Sequence, residues 1–451
     1  MRITSTDIKK LCVWKDNENL FLRCNGVINF KFVIFENMIS FSSFTLDNGL
    51  RVFVHEDSTV QIAVMNILYD VGSRDERPDK TGFAHLFEHL MFGGSVNIPN
   101  YDEPLQLVGG ENNAFTNTDI TNYYLTVPAA NIETGFWLES DRMLSLSFDP
   151  KVLDVQRKVV VEEFKQRYLN QPYGDVWLNL RPLVYMVHPY QWATIGKEIS
   201  HIENATMEDV RGFFFNHYIP NNAILVVAGN VTVDQVKKLS EKWFGPIPAG
   251  KKPERKIQAE PAQLSKRKLE VNANVPANAL YKAYHMPGRF HADYYASDLL
   301  SDILSRGNSS RLYHTLVQKK EIFTSISSFT MGSIDPGLLV ISGRVKDGVS
   351  PADAEREVDL ILDRMMTDGP KEEELQKVKN QALATLEFGE VEVINRAMNI
   401  AFAALSGDAA LVNQEGDRIQ AVTVADVHSM ANKIFKESNA SVLYYKAENK
   451  N

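Results

Sequence analysis

Cysteine is scarce in this chain, and the balance of charge is not basic. Two of its 451 residues are cysteines, Cys12 and Cys24, and so few exclude a fold that depends on a framework of disulfides. The 48 Lys and Arg residues are outnumbered by 57 Asp and Glu residues, which gives a net charge of −9. Because a surface that binds nucleic acid needs a basic face, this charge argues against nucleic acid as the main partner.

Long apolar runs are also missing. No stretch approaches the roughly 18 consecutive apolar residues that a membrane-spanning helix requires, so we expect no membrane span. The short apolar run from Val27 to Phe35 is interrupted by Asn29 and Lys31 and does not fit a signal peptide. We therefore expect a cytoplasmic protein, with a periplasmic location as the alternative.

The length of the chain predicts two or three domains, because a typical domain has roughly 100–200 residues. The segment from Pro246 to Lys268 has four prolines, a basic bias and no apolar period, which is typical of an extended linker. A clear strand pattern opens only at Met38, so Met1 and Met38 are both candidate starts. The predicted parts are an extension without an assigned role, a first lobe, a linker and a second lobe, in residues 1–37, 38–246, 247–268 and 269–451.

An internal repeat links the two predicted lobes. Five residues recur 217 positions later in the chain: Thr206, Asp209, Val210, Asn222 and Ala223 match Thr423, Asp426, Val427, Asn439 and Ala440. Strand-like and helix-like segments occur in both lobes without a strict βαβ alternation. The sequence therefore predicts an α+β fold in which the two lobes are copies of one architecture.

One motif predicts a metal-binding site. The segment from His85 to His89 reads HLFEH and lies in a predicted helix, where positions i and i+4 share one face and both imidazoles reach a single metal ion. Glu88 is then placed beside the open coordination position of the ion. The alternative is a pair of surface histidines on an amphipathic helix. Against it, the second lobe has Leu299, Asp302 and Ile303 where the first has His85, Glu88 and His89, so we interpret the first lobe as the active copy.

The segment from Gly72 to His89 resembles the signature of the pitrilysin-like metallopeptidases, the inverzincins that include the mitochondrial processing peptidases. The resemblance extends from Ser40 to about Lys446. It implies two lobes, each a mostly antiparallel sheet packed with helices, and one Zn²⁺ per chain. It also implies a third ligand on a later helix, in the segment RKVVVEEF of residues 157–164. The register places this ligand at Glu163, with Glu162 as the competing candidate.

The segment from Asn112 to Val127 alternates between polar and apolar residues, which predicts an amphipathic strand. An ordinary sheet strand accounts for this pattern by itself. In the peptidases that the chain resembles, this strand is a sheet edge that pairs with extended substrate. The resemblance therefore implies that Asn113 and Ala114 contact substrate.

These observations together predict a zinc-dependent endopeptidase that cleaves extended peptides or unfolded segments. His85, His89 and Glu163 would bind the zinc ion, and Glu88 would act as the general base and acid. One alternative is a non-catalytic scaffold subunit of the same fold, as in the core proteins of respiratory complexes. Another is hydrolysis of a non-peptide substrate at the same zinc ion.

A partner is implied by two residues that are missing. Two-lobed members of the family pair to enclose a chamber, and the opposite half contributes an Arg and a Tyr, seven positions apart, that orient substrate. The register places Val317 and Thr324 at these positions, and the spacing of the nearby Arg311 and Tyr313 does not fit. We therefore expect a heterodimer with a related subunit that supplies the Arg/Tyr pair, with a homodimer as the alternative.

Overall fold

The structure is a computed structural model that describes residues 12–16, 19–24, 28–33, 38–252 and 254–448. The chain divides into two compact units, Met1–Ser40 and Phe41–Asn451. The first unit contains an antiparallel three-stranded sheet in the order β1-β2-β3, formed by β1 (Cys12–Asp16), β2 (Asn19–Cys24) and β3 (Ile28–Val33). The segment before Met38 thus contains strands, although its sequence shows no pattern that predicts them.

The second unit contains both predicted lobes. Its strands are β4 (Ser42–Thr45), β5 (Arg51–Glu56), β6 (Ile62–Tyr69), β7 (Glu111–Thr116), β8 (Thr121–Pro128), β9 (Ala223–Gly229), β10 (Arg267–Ala273), β11 (Ala279–Met286), β12 (Phe323–Met331), β13 (Gly337–Val345) and β14 (Ala440–Ala447). Its helices are α1 (Phe83–Leu90), α2 (Asp102–Leu107), α3 (Ile132–Leu144), α4 (Pro150–Phe164), α5 (Val176–Val184), α6 (Ile199–Glu203), α7 (Met207–His217), α8 (Val233–Trp243), α9 (Tyr294–Ser305), α10 (Pro351–Asp368), α11 (Glu372–Gly389), α12 (Val393–Leu405), α13 (Glu415–Ala421) and α14 (Val424–Ile434).

The two sheets have the same topology. The first has the order β4-β5-β9-β6-β8-β7 and the second the order β10-β14-β11-β13-β12, so the second repeats the first without β4. In each sheet one pair is parallel, β5 with β9 and β10 with β14, and the other pairs are antiparallel. The predicted α+β fold with two homologous, mostly antiparallel lobes is therefore confirmed.

The repeated residues have the same structural role in both lobes. Thr206 caps α7 and Thr423 caps α14, and in each case the side chain accepts a hydrogen bond from the backbone N–H of the Asp three residues later, Asp209 or Asp426. Each Asp carboxylate accepts in return from the backbone N–H of its Thr, at 3.1 and 2.8 Å. Such capping boxes satisfy the free donors of a helix N-terminus. Part of the repeat in the sequence is thus a repeat of helix caps.

Each sheet is covered on one face by a helix from the other lobe. Helix α12 of the second lobe packs on β5, β6 and β9, and helix α5 of the first lobe packs on β10, β11 and β14. The two helices begin at Val176 and Val393, and 393 − 176 gives the same offset of 217. The lobes therefore exchange equivalent helices, which explains why β9 is buried along its whole length.

The single strand predicted over residues 112–127 is wrong. This segment forms a hairpin of β7 and β8, joined by a turn in which the side-chain oxygen Oδ1 of Asn117 accepts from the backbone N–H groups of Asp119 and Ile120, at 2.7 and 2.9 Å. An Asn side chain often closes a turn in this way. Because polar residues continue the alternation through the turn, the pattern alone did not reveal the break.

The segment that connects the lobes has little regular structure. Residues 248–252 and 254–264 are in neither helix nor strand, and β10 begins at Arg267. Among the described residues, no helix is both long enough and apolar enough to cross a membrane.

Candidate metal centre

Helix α1 presents three polar side chains on one face. It has the sequence FAHLFEHL and begins after Gly82, which has a positive φ of 88°, a conformation that glycine adopts without strain. The five apolar residues of the helix are buried, and all except Ala84 belong to the first-lobe core. His85, Glu88 and His89 remain partly exposed on the other face. The apolar positions therefore fix which way the three polar groups point.

The structure brings His85 and His89 together with Glu163 from α4. The Nε2 atoms of His85 and His89 lie 3.6 and 3.4 Å from one oxygen, Oε2 of Glu163. Bonds of 2.0–2.2 Å in a tetrahedron imply that neighbouring zinc ligands lie about 3.4 Å apart. Two imidazole nitrogens and a carboxylate oxygen are a donor set of catalytic zinc sites. These three residues therefore fit around one zinc ion.

Glu162 and Glu163 point in different directions, because successive helical residues are about 100° apart. The Glu162 side chain is 59% exposed, and its Oε1 accepts from Lys165 Nζ at 2.7 Å. The Glu163 side chain is 17% exposed, and its second oxygen, Oε1, pairs with Arg167 Nη1 at 2.9 Å. The structure thus places Glu163, and not Glu162, beside the two histidines.

Burial and neighbouring charges determine the protonation of these groups. Burial lowers the pKa of His85 to about 4, against the opposing pull of the Glu163 carboxylate. A hydrogen bond from His89 lowers the pKa of Glu163. The ligand set is therefore an uncharged His85 imidazole and an ionised carboxylate, the forms that bind a metal ion. Burial also raises the pKa of Glu88. A raised pKa suits a carboxylate that must both accept and return a proton near neutral pH.

Glu76 holds the start of α1, and no pattern in the sequence marked it. Its carboxylate oxygens accept from the backbone N–H groups of Gly82 and Ala84, at 2.9 and 2.8 Å. Burial raises the pKa of this carboxyl to about 8. Gly82 has no side chain with which to cap the helix. The free backbone N–H groups at the start of a helix need acceptors. The lack of a capping side chain at Gly82 could therefore have predicted an acceptor from another part of the chain.

The loop that carries Glu76 is held by the connecting segment between the lobes. Arg255 donates from Nε to Asp75 at 2.6 Å and from Nη2 to the Asp70 carboxylate at 2.9 Å. Asp75 in turn accepts from the backbone N–H of Gly72 at 3.0 Å. The basic residues of this segment therefore form ion pairs with the loop that carries Glu76.

Strand β7, with Asn113 and Ala114, lies at the edge of the first sheet and packs against α1. Asn113 is exposed, and its side-chain oxygen accepts from the backbone N–H of Ala114 at 2.8 Å. Ala114 is partly buried against the first-lobe core. Among the strands that the structure describes, none pairs with the outer edge of β7.

The second lobe lacks the equivalent cluster. Leu299 and Ile303 are buried in its core, and Asp302 pairs with Arg306 at 2.7 Å. Elsewhere in the part of the chain that the structure describes, no further group of three potential metal ligands converges.

The positions of the missing Arg/Tyr pair contain no substitute. Val317 packs against the second-lobe core, and the Thr324 hydroxyl donates to the Arg344 carbonyl oxygen at 3.3 Å. Arg311 binds both carboxylate oxygens of Glu374, at 2.9 and 2.7 Å. The guanidinium of Arg311 is thus engaged within the lobe.

Comparisons with known proteins identify the family of the chain. The family model described as insulinase, peptidase family M16, matches residues 51–176, and the one described as the peptidase M16 inactive domain matches residues 204–382. The zinc protease PqqE of Helicobacter pylori is 30% identical over 423 residues, which are 90% of this chain and 92% of that protein. The uncharacterized zinc protease YmxG of Bacillus subtilis is 26% identical, over 89% of this chain and 97% of its own.

Solved structures show the same fold. The crystal structure of a protease from Helicobacter pylori superposes with a TM-score of 0.84 at 28% identity, covering 90% of this chain and 99% of that one. Pitrilysin superposes with a TM-score of 0.72 at 17% identity, covering 91% of this chain and 45% of that one. From the identity to PqqE over most of both chains, we conclude that this chain belongs to the pitrilysin-like M16 family of peptidases.

Proposed function

We propose that the protein is a zinc-dependent endopeptidase in which His85, His89 and Glu163 bind the zinc ion. The observation that carries this proposal is the convergence of two Nε2 atoms on one carboxylate oxygen, at 3.6 and 3.4 Å, on the face of α1 that also carries Glu88. The names of the relatives as zinc proteases support the choice of metal ion.

Each side chain of the site has a separate role. A zinc ion bound there supplies a positive charge that acidifies water and polarises a peptide carbonyl. Glu88 accepts the proton of the attacking water and later donates it to the amine of the leaving fragment. Arg167 holds the oxygen of Glu163 that does not face the histidines, which orients this ligand.

The substrate is an extended peptide segment. Strand β7 is an edge strand beside α1, and its backbone groups pair with a peptide of almost any sequence. Asn113 and Ala114 lie on this strand and would contact the added chain. Because a folded protein offers no free strand to such an edge, short peptides and unfolded segments are the expected substrates.

The test is a panel of fluorogenic peptides, assayed with the purified protein and with any complex that it forms in the cell. Cleavage should require zinc and stop with a chelator. Glu88→Gln should keep one zinc ion per chain by elemental analysis and lose at least about 10²-fold in kcat. The matched control is Glu162→Gln, which removes a neighbouring exposed carboxylate and should change neither the zinc content nor kcat. Loss of zinc from Glu88→Gln would show that Glu88 is a ligand and would contradict the mechanism.

We also propose that the active form pairs with a related subunit that supplies the Arg/Tyr pair to a shared chamber. This is supported by Val317 and Thr324 at the corresponding positions and by the engagement of Arg311 with Glu374. Co-purification with a related chain that lacks the H-x-x-E-H motif, together with a gain in turnover when the two are mixed, is the expected result. Robust turnover of the isolated chain at micromolar concentration would favour the homodimer instead.

A further inference from the structure

A cavity of about 230 Å³ lies between the lobes, next to the edge strand β7. Its lining includes Phe115 of β7 and, from α12, Met398 and Phe402. The charged residues of the lining all come from the second lobe: Arg289, Glu415 and Arg418. The cavity is therefore built from both lobes and includes a residue of the strand on which the proposed substrate lies.

The cavity is on the face of the first sheet that is opposite to α1. Side chains alternate between the two faces of a strand, and Ala114 of β7 is packed into the core that contains α1. Its neighbour Phe115 must then point to the other face, where it is 38% exposed. On that face α12 packs on β5, β6 and β9. The end of the sheet next to β7 is thus left open, and the cavity is the space between this end and α12.

The lining of the cavity is mostly apolar. Of its three charged residues, Arg289 and Glu415 pair with each other, and Arg418 donates to the side-chain oxygen of Gln414 at 3.2 Å. Phe402 packs against Phe290, with ring centroids 5.3 Å apart. Arg289 donates to Glu415 at 2.6 Å, and its guanidinium lies 5.3 Å from the centre of the Tyr295 ring. A guanidinium that is bound to a carboxylate and stacked on an aromatic ring has little left to offer a charged ligand. The cavity therefore suits an uncharged, apolar group.

We propose that this cavity is a specificity pocket that takes a large apolar side chain of the peptide substrate. The inference rests on the proposed peptidase function and on addition of the peptide to β7. Residues directly opposite each other on paired strands point to the same face of the sheet. The substrate residue opposite Phe115 thus points into the cavity, while its two neighbours point to the face of α1 and the metal centre.

The test measures cleavage of a set of peptides by the zinc-loaded protein in its active assembly. The peptides differ at one position, which is Phe, Leu, Ala or Glu. Scanning this substitution along the peptide should reveal one position at which Phe or Leu exceeds Ala in kcat/KM by about tenfold or more. Phe402→Ala, which removes a wall, should lower this preference mainly through KM. Met398→Trp, which fills the cavity, should impair cleavage of the Phe peptide and spare the Ala peptide. The control Phe388→Ala removes a ring that is 78% exposed and lies outside the cavity, so the preference should stay unchanged.

Binding separates this proposal from the proposed function. Glu88→Gln should bind the Phe peptide about tenfold more tightly than the Ala peptide in fluorescence anisotropy, and Met398→Trp in that background should abolish the difference. Selective binding without cleavage by the wild type would support the pocket and contradict the peptidase. Cleavage or binding with no apolar preference, or a preference that neither cavity variant changes, would overturn the pocket and leave the peptidase standing.

Discussion

Glu76 shows how much the geometry of α1 depends on one residue outside the motif. The short helix with both histidines has no side-chain cap of its own, and Glu76 accepts from two backbone donors at its start. Its carboxylate lies nine positions before His85 in sequence. The motif alone therefore identifies the ligands but does not explain what holds them in position.

Glu76→Ala should lower both the stability of the protein and its affinity for zinc. Two buried backbone N–H groups lose their acceptor, which costs about 1–3 kcal/mol in the free energy of unfolding. The start of α1 also becomes free to move, so the zinc dissociation constant should rise. Chemical denaturation and competition with a zinc chelator measure the two effects. The control is Glu241→Ala at an exposed position of α8, and equal behaviour of the two variants would contradict the role of Glu76.

The pKa of Glu76 also predicts a pH dependence of stability. Burial raises this pKa to about 8, above its ordinary value of about 4.3 in an unfolded chain. The folded state therefore holds the proton more tightly, and the stabilising contribution is complete below about pH 4.3 and is lost as the pH rises through 8. Because Gln stays neutral, the melting temperature of the wild type relative to Glu76→Gln should fall between pH 5 and pH 8. A constant difference across this range would contradict the prediction.

At the scale of elements, the exchange of α5 and α12 joins the two lobes. Leu180 and Val184 of α5 share one core with Tyr281 and Leu443 of the second sheet. Helix α12 covers the equivalent face of the first sheet. Each lobe alone would therefore expose an apolar sheet face that the other lobe normally covers.

Separated halves should consequently be unstable. If the chain is divided between Gln258 and Ala259, in the segment without helix or strand, neither half should melt cooperatively, and each should bind a hydrophobic dye. Co-expression of both halves should restore one cooperative transition, because the exchanged helices again cover the sheets. Two independent cooperative transitions for the isolated halves would contradict the importance of the exchange.

The sequence predicted some of these elements and missed others for physical reasons. The helix caps Thr206 and Thr423 depend on local residues, so the repeat in the sequence marked both of them. The turn at Asn117 was missed because polar residues continued the strand alternation. The helix exchange depends on contacts between distant parts of the chain, which periodicity does not encode.

The candidate metal site likewise has residues that the sequence predicted and residues that it did not. The pair His85 and His89 is visible because helical spacing alone puts both on one face. The choice of Glu163 over Glu162 came from the family register, and its spatial basis is the direction in which each side chain leaves α4. Glu76 and Arg255 were not predicted, because each acts across a loop.

At the scale of the whole molecule, the described core of the two lobes lies in the unit Phe41–Asn451. A variant that begins at Met38 should therefore keep its melting temperature and its zinc content. Differential scanning calorimetry and elemental analysis of the two proteins make the comparison. A melting temperature lower by more than about 4 °C would correspond to a loss of roughly 1 kcal/mol or more in the free energy of unfolding. It would show that the first residues contribute to the stability of the lobes.

The proposed metal centre is tested most directly by a crystal structure of the zinc-loaded protein, with anomalous diffraction measured at the zinc absorption edge. We expect one anomalous peak per chain, within about 2.0–2.2 Å of Nε2 of His85, Nε2 of His89 and a carboxylate oxygen of Glu163. Glu88 should lie next to the peak without ligating it, and Glu162 should remain in solvent. A peak that is absent from this site, or one that is ligated by Glu88 or Glu162 in place of Glu163, would contradict the assignment of the metal centre and the mechanism built on it.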